Sequence, residues 1–328
     1  MIIESLPTAP SAPEADGTPL VVILLATFNG AKYLKPQLAS LDSQVHNNWH
    51  LVVWDDGSTD STPELLRSFA DARPGRVTIL EGEPVRSASG NFFRLLRAAP
   101  PADFYALCDQ DDVWHPDKLT TMIAGLQWMG EQHPIRSPAL AFSDLRVVDR
   151  DLCLLRESFM GQIKARPERA SFGSLIVENL APGCSMVFNS ALLRELYEEP
   201  ETRNAAIMHD WWLILLAIST GRVGYVDRAL VDYRQHESNT LGTVTRAGIR
   251  FALTKLLKPN APSIAGTYAQ LGALLSLHQP QMHSEASKIA RAFVVTEHQT
   301  KIARMIVCIR HGILKQTFPR RLYQLLKI

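Results

Sequence analysis

Three aspartates fall within four positions in "FYALCDQDDVWHPDKL": Asp109, Asp111 and Asp112 close an apolar run that begins at Phe104. Carboxylates so crowded repel one another, and each is costly to dehydrate. Asp109 and Asp111 stand at i and i+2, so on an extended chain they share a face. Two oxygens on one face suit a hard divalent cation, Mg²⁺ or Mn²⁺, which cancels the repulsion and commonly bridges to substrate phosphates. A diphosphate bridged in this way is a good leaving group, because the cation neutralises the charge that develops on it. A second acidic pair, Asp55-Asp56, lies in "VVWDDGSTDST". Alone it imitates a phospho-acceptor site, but no lysine-bearing strand end completes that arrangement.

The elements that must position these acids alternate. "LVVILLATFN", "WHLVVWDDGS", "RVTILEG" and "DFYALCDQDD" read as strands buried on both faces. "GAKYLKPQLASLDSQ", "STDSTPELLRSFADA" and "ASGNFFRLLRAA" read as the helices between them. This rhythm predicts an α/β fold, a doubly wound and mostly parallel sheet with helices on both faces. Such sheets bind ligands at the carboxyl ends of their strands. Thr27–Asn29, Asp55–Asp56 and Asp109–Asp112 all fall at those ends, whereas Asp60 and Ser61 read as helix caps. Further on, "ALAFSDLRVVD" reads as a strand, "SLIVENLAPGCSMVFNSALLREL" as loop, strand and helix, and "HDWWLILLAISTG" as an apolar helix. "RVGYVDRALVDYRQHESNT" reads as a strand or hairpin ending in a polar loop.

Composition narrows the classes. With 46% hydrophobic and 20% charged residues, the 328-residue chain reads as soluble and globular. No GxxxxGK[ST] occurs, and no GxGxxG follows the first strand, which argues against P-loop phosphoryl transfer and dinucleotide-dependent dehydrogenation. Four scattered cysteines without ligand spacing read as reduced, cytoplasmic thiols. Residues 1–18 read as a disordered Pro/Ala/Ser leader, and no apolar run reaches the ~18 residues of a transmembrane span.

The motifs "ATFNGAKYLKPQLASL", "VVWDDGSTDST", "ASGNFFRLL" and "CDQDDVWHPDKL" resemble, in order and spacing, the inverting sugar-nucleotide transferases of glycosyltransferase family 2. "CDQDDVW", "MHDWW" and "YRQHESNTLG" resemble its bacterial rhamnosyltransferase-like branch, and the likeness runs from Leu20 to Leu241. It implies a GT-A fold over residues 19–244, with a nucleotide-binding part over 19–120 and an acceptor part over 121–244. Thr27, Phe28 and Asn29 match the first nucleotide-contacting loop. Asp56 matches the acid that bonds the pyrimidine base, with Asp55 beside it. Asp109 and Asp111 match the DxD motif, Asp111 as the more direct metal ligand, and Asp112 shapes the loop or touches the donor sugar. His236 matches a histidine that reaches the metal or diphosphate in some relatives, and Asn91 lies in a segment that approaches the donor. Asp210 matches the catalytic base, with His209 where relatives carry glutamate. An inverting transfer needs one carboxylate to take the acceptor's proton, and a helix N-terminus favours an ionised acid; the plain alternative for Asp210 is a helix cap. Trp211, Trp212 and Trp114 divide between substrate contact and core, Cys184 reads as packing, and His46, His50 and the C-terminal histidines read as surface. The resemblance implies a dTDP-rhamnose donor and a surface-polysaccharide or lipid-linked glycan acceptor. A UDP-hexose donor is the neighbouring reading, and a non-catalytic sugar-nucleotide-binding protein is the reading from another class.

Residues 245–328 carry thirteen Lys/Arg against Glu285 and Glu297, leaving the rest of the chain at about −10. This basic, helical extension suits either the inner face of a membrane or the acidic surface of the preceding domain. It lacks any nucleic-acid-binding module.

Overall fold

The computed structural model describes residues 1–8, 17–132, 137–197, 205–236 and 264–327. Its ten strands are β1 (Glu4–Ser5), β2 (Val21–Thr27), β3 (Trp49–Asp55), β4 (Val77–Leu80), β5 (Phe104–Asp109), β6 (Val113–Trp114), β7 (Ala139–Val148), β8 (Leu154–Arg156), β9 (Met186–Asn189) and β10 (Arg222–Arg234). They join in one sheet of order β1-β10-β7-β9-β5-β2-β3-β4, with β6 on β10 and β8 on β7. The β5-β2-β3-β4 half is parallel, and β9 enters antiparallel between β5 and β7.

Alternation along β2 shows why the sheet is covered twice. Val22 and Leu24 join the cluster that includes Trp54, Phe92 and Phe142, while Val21, Ile23 and Leu25 join Leu34, Leu38 and Met122. A strand so placed must be apolar at every position, as the β-branched run is. The helices between the parallel strands are α1 (Ala31–Asp42), α2 (Thr62–Asp71) and α3 (Ala88–Ala98), and α4 (Lys118–Glu131) follows β6. Register then decides the site: Thr27 pairs with Asp55, and Ala26 with Asp109. The polar residues that close β2, β3 and β5 therefore share one edge.

After β8 come short helices α5 (Phe159–Ile163) and α6 (Phe172–Val177), then α7 (Ser190–Tyr197) and α8 (His209–Thr220). The "SLIV" segment is thus helical where a loop was expected; Ser171 and Ser174 form a reciprocal capping box that starts it. The stretch from Arg222 is one long strand with two register shifts against β7.

The disordered leader expected over residues 1–18 is corrected at its start. β1 pairs in parallel with β10, and Ile3 and Leu6 are buried. Leu6 fits where two glycines leave room: a Cβ on Gly224 would lie 2.5 Å from its Cδ1, and one on Gly125 2.9 Å.

The C-terminal region forms α9 (Ile264–His278), α10 (Ser284–Val294), α11 (Lys301–Arg310) and α12 (Phe318–Lys327). Tyr268, Leu271, Leu274, Phe293 and Cys308 share a cluster with α8, so α9, α10 and α11 pack on the domain that holds the sheet. The amphipathic run from Lys301 is split, because Gly312 takes φ +64 and ends the first helix. Ile313 turns inward, while Ile302, Ile306 and Ile309 stay exposed. His46 and His278, expected at the surface, are buried; His46 Nε2 lies 2.9 Å from the Pro19 carbonyl oxygen.

Candidate active site

The strand ends open into a cavity of about 990 Å³ lined by Thr27, Phe28, Asn29, Asp56, Asn91, Asp109, Asp111, His209, Asp210 and His236, among others. Nine of the residues singled out in sequence, with His209 beside them, therefore meet in one space. Asp55 and Asp112 do not line it. Asp55 instead accepts from the Thr27 hydroxyl at 2.7 Å and from the Ser58 hydroxyl and N–H, which ties the turn after β3 to the end of β2. Asp112 is fully buried and accepts the Arg234 N–H at 3.0 Å, anchoring the loop after β5 to β10. Burial, then the charges of Asp111 and Asp109, push its carboxyl well above the usual range.

At the ends of β2 and β3, Asn29 takes a left-handed φ of +47 and its Oδ1 accepts the Thr59 N–H, a conformation that asparagine tolerates better than most residues. Gln110, unremarked in the sequence, clamps this loop. Its Oε1 accepts the Phe28 N–H at 2.9 Å, and its Nε2 donates to the Phe28 carbonyl at 3.0 Å. Gly30 makes room for the clamp, since a Cβ there would fall 2.1 Å from Gln110 Oε1. The Oδ1 of Asp56 accepts the N–H groups of Val85 and Arg86, and its other oxygen takes no hydrogen bond among the described residues. Arg86 brings an exposed guanidinium to the lining.

The acids at the centre are electrostatically strained. Burial, then Asp111, then Asp210 push the Asp109 carboxyl up from 3.8 to about 7. Asp111 Oδ2 lies 2.7 Å from His236 Nε2, and the His236 ring stacks on Tyr33 at 4.6 Å. Asp109, Asp111 and His236 line the same cavity; carboxylate oxygens are the donors a hard divalent cation prefers, and its charge would relieve the repulsion among the acids. Asp109, Asp112 and Cys184 also bring ligand atoms within 4.8 Å of one another. That set fits poorly, because burial first, and then Asp112 and Asp109, raise the Cys184 thiol well above its ordinary value, and a hard cation disfavours sulfur.

Behind the acids lies Lys118, a fully buried lysine that its place at a helix start did not distinguish from a solvated charge. Its Nζ donates to the Cys184 carbonyl at 2.6 Å and sits 3.2 Å from the centroid of the Trp114 ring. Burial lowers it to about 8. The lysine secures the Gly183–Ser185 turn, and Gly183 in turn donates its N–H to Asp210 Oδ2 at 3.2 Å.

Asp210 lies in the first turn of α8, with Oδ1 accepting the Trp211 N–H at 2.7 Å. Dehydration raises it from 3.8 to about 6 against the pull of its hydrogen bonds. Trp211, Trp212 and Trp114 are all buried, and Trp211 Nε1 donates to the Leu175 carbonyl. His209 is buried against Phe92 with ring centroids 4.0 Å apart, and burial lowers it to about 3. Ser87 caps α3, its hydroxyl accepting the Gly90 N–H, and Asn91 follows within the helix.

A family model described as "Glycosyl transferase family 2" matches residues 22–192, which hold the β2–β5 ladder and the acids at its carboxyl edge. The chain belongs to glycosyltransferase family 2. This family 2 glycosyltransferase is 26% identical over 226 residues to the dTDP-rhamnosyl transferase RfbG of Shigella flexneri, a match covering 66% of this chain and 73% of that protein. It is 31% identical over 105 residues to the UDP-Glc:alpha-D-GlcNAc-diphosphoundecaprenol beta-1,3-glucosyltransferase WfgD of Escherichia coli, covering 32% and 40%. Among solved structures it is similar to the mannosyltransferase PcManGT of Pyrobaculum calidifontis, in complex with GDP-Man and Mn²⁺, at TM-score 0.50 and 18% identity, covering 99% of this chain and 87% of that one. The likeness is one of fold, and it agrees with the GT-A architecture described above. The enzyme is a nucleotide-sugar transferase. No helix among its described residues is long and apolar enough to cross a membrane.

Proposed function

We propose that the enzyme transfers a sugar with inversion from a metal-bound nucleoside-diphosphate sugar, dTDP-rhamnose first, to a hydroxyl of a surface polysaccharide or lipid-linked glycan. The observation that carries this reading is the convergence of Asp56, Asp109, Asp111 and Asp210 on one cavity. Asp56 would receive an N–H of the pyrimidine through its unengaged oxygen, and the Thr27–Asn29 loop would border the nucleoside. Asp109, Asp111 and His236 would hold Mg²⁺ or Mn²⁺, which supplies neutralisation of the charge on the leaving diphosphate. Asp210 then takes the acceptor hydroxyl's proton as that oxygen attacks the anomeric carbon from the face opposite the diphosphate. Raised to about 6, it is a stronger base than an ordinary carboxylate and still mostly ionised at neutral pH. The N–H groups of Gly183 and Trp211 orient it.

The rhamnose choice draws on the relative from Shigella, and the relative from Escherichia coli favours a UDP-hexose as the alternative donor. Single-turnover transfer with dTDP-rhamnose, UDP-glucose and GDP-mannose, with and without Mn²⁺, decides between them. Turnover with none of them removes the reading. The exposed Ile302, Ile306 and Ile309 on α11, between Lys301 and Arg310, would rest on an anionic inner-membrane surface where a lipid-linked acceptor is held.

A further inference from the structure

Two polar side chains in the cavity wall take no part in the scheme above. His209 is 5% exposed and Asn91 4%, and both line the cavity. Neither ring nitrogen of His209 has a hydrogen-bond partner among the described residues, and neither has Oδ1 of Asn91. Native folds leave few buried polar atoms unpaired, so three in one wall call for a ligand.

The wall is built to hold them still. Phe92, next to Asn91 on α3, stacks on the imidazole at an interplanar angle of 18°. Gly183 admits the ring closely: a Cβ there would stand 2.9 Å from His209 Nε2. Because burial keeps the imidazole neutral, it offers one donor and one acceptor and no charge. A neutral imidazole beside a carboxamide suits alcohol groups, which both donate and accept. It does not suit a carboxylate or phosphate, and Asp109 and Asp210 nearby would repel either.

Position narrows the ligand further. α3 begins just after Val85 and Arg86, whose N–H groups bind Asp56, and His209 immediately precedes Asp210. The pair therefore lies along the wall between the nucleotide-side acid and the base, where the transferred ring must sit. We propose that His209 and Asn91 bind the hydroxyls of the donor's uncharged sugar ring, an inference that rests on the function proposed above.

Calorimetry in Mn²⁺ with dTDP and dTDP-rhamnose, or UDP and UDP-glucose if the donor panel selects that sugar, provides the test. The quantity read is the ratio of nucleotide-sugar affinity to nucleoside-diphosphate affinity. His209→Phe keeps the stack on Phe92 but removes both nitrogens. It should leave nucleoside-diphosphate affinity within twofold of wild type and lower the ratio about tenfold. His209→Gln, which retains a donor and an acceptor, should recover most of the loss, and Asn91→Leu should lower the ratio in the same sense. An unchanged ratio in His209→Phe overturns the proposal while the transferase reading stands. Equal loss of both ligands in all the variants also overturns it, since these residues would then only support the fold. If the wild type binds no nucleoside diphosphate with Mn²⁺, the proposed function falls and this inference with it.

Discussion

Replacing Asp210 with asparagine should stabilise the fold while stopping the chemistry. The carboxyl rises from 3.8 in water to about 6 in the folded chain, roughly two pH units, or about 3 kcal/mol of stability forfeited once it ionises. The folded state holds this proton more tightly than the unfolded chain does. The stability is therefore fully present below about pH 4, is lost as the pH rises through about 6, and stays level above that. Asparagine carries no charge, so it escapes the loss. It has one acceptor oxygen, however, and cannot serve the N–H groups of both Trp211 and Gly183, which returns about 1 kcal/mol. The variant should thus be more stable than wild type by about 2 kcal/mol at pH 7.5 and by nothing, or slightly less stable, at pH 4. Denaturant unfolding in EDTA at the two pH values measures this, with EDTA removing any cation that would itself favour the ionised form. In parallel, single-turnover transfer should fall about 10²–10⁴-fold, as for a lost general base, with nucleotide-sugar affinity near normal. Transfer within a fewfold of wild type would show that the base lies elsewhere. An equal stability difference at both pH values would show that the carboxylate is not dehydrated as described.

Asp111→Asn should abolish Mn²⁺-dependent binding of nucleoside diphosphate in calorimetry, because an uncharged amide oxygen is a poorer ligand for a hard cation; unchanged affinity would make the acidic motif structural. Mn²⁺ binding should tighten as the pH rises through about 7 and release a proton, since Asp109 is pushed to that value by burial and by Asp111 and Asp210; titrations in buffers of different ionisation enthalpy read the proton directly. Full-length protein should co-sediment with anionic vesicles at low salt and detach at high salt, and serine at Ile302, Ile306 and Ile309 should end the binding. These side chains are 71%, 59% and 58% exposed, so the triple variant should keep its melting temperature.

The parallel half of the sheet was legible because a strand buried on both faces must be apolar at every position, and Val21–Leu25 and Leu51–Trp54 are. The shared edge of Asp56, Asp109 and Asp111 followed from the same pattern, since parallel strands in register deliver their carboxyl ends to one place. What remained hidden was partner choice. Nothing in "DDGS" distinguishes Asp55, consumed by Thr27 and Ser58, from Asp56, whose second oxygen stays open. Nothing in "DQDD" shows that Gln110 clamps the backbone of Phe28 or that Asp112 belongs to Arg234. Lys118 was hidden for the same reason: its burial depends on the Cys184 turn, 66 residues away. At the C-terminus, helical periodicity continued across Gly312, and only the backbone reversal there separates inward Ile313 from outward Ile309. The N-terminal residues were misjudged because composition cannot register a two-residue pairing.

That pairing has a use in keeping molecules apart. Without β1, β10 would become the sheet's outer strand along Gly224 and Tyr225, with backbone N–H and C=O groups free to recruit a strand from a neighbouring molecule. The ladder is too short to hold on hydrogen bonds alone. It is pinned by Leu6, whose burial in the slot left by Gly224 and Gly125 is worth about 1.5–3 kcal/mol. The first eight residues thus act as a selvedge, a finished border on the sheet. A shortened chain starting at Val21 would keep every residue of the cavity and still be prone to self-association.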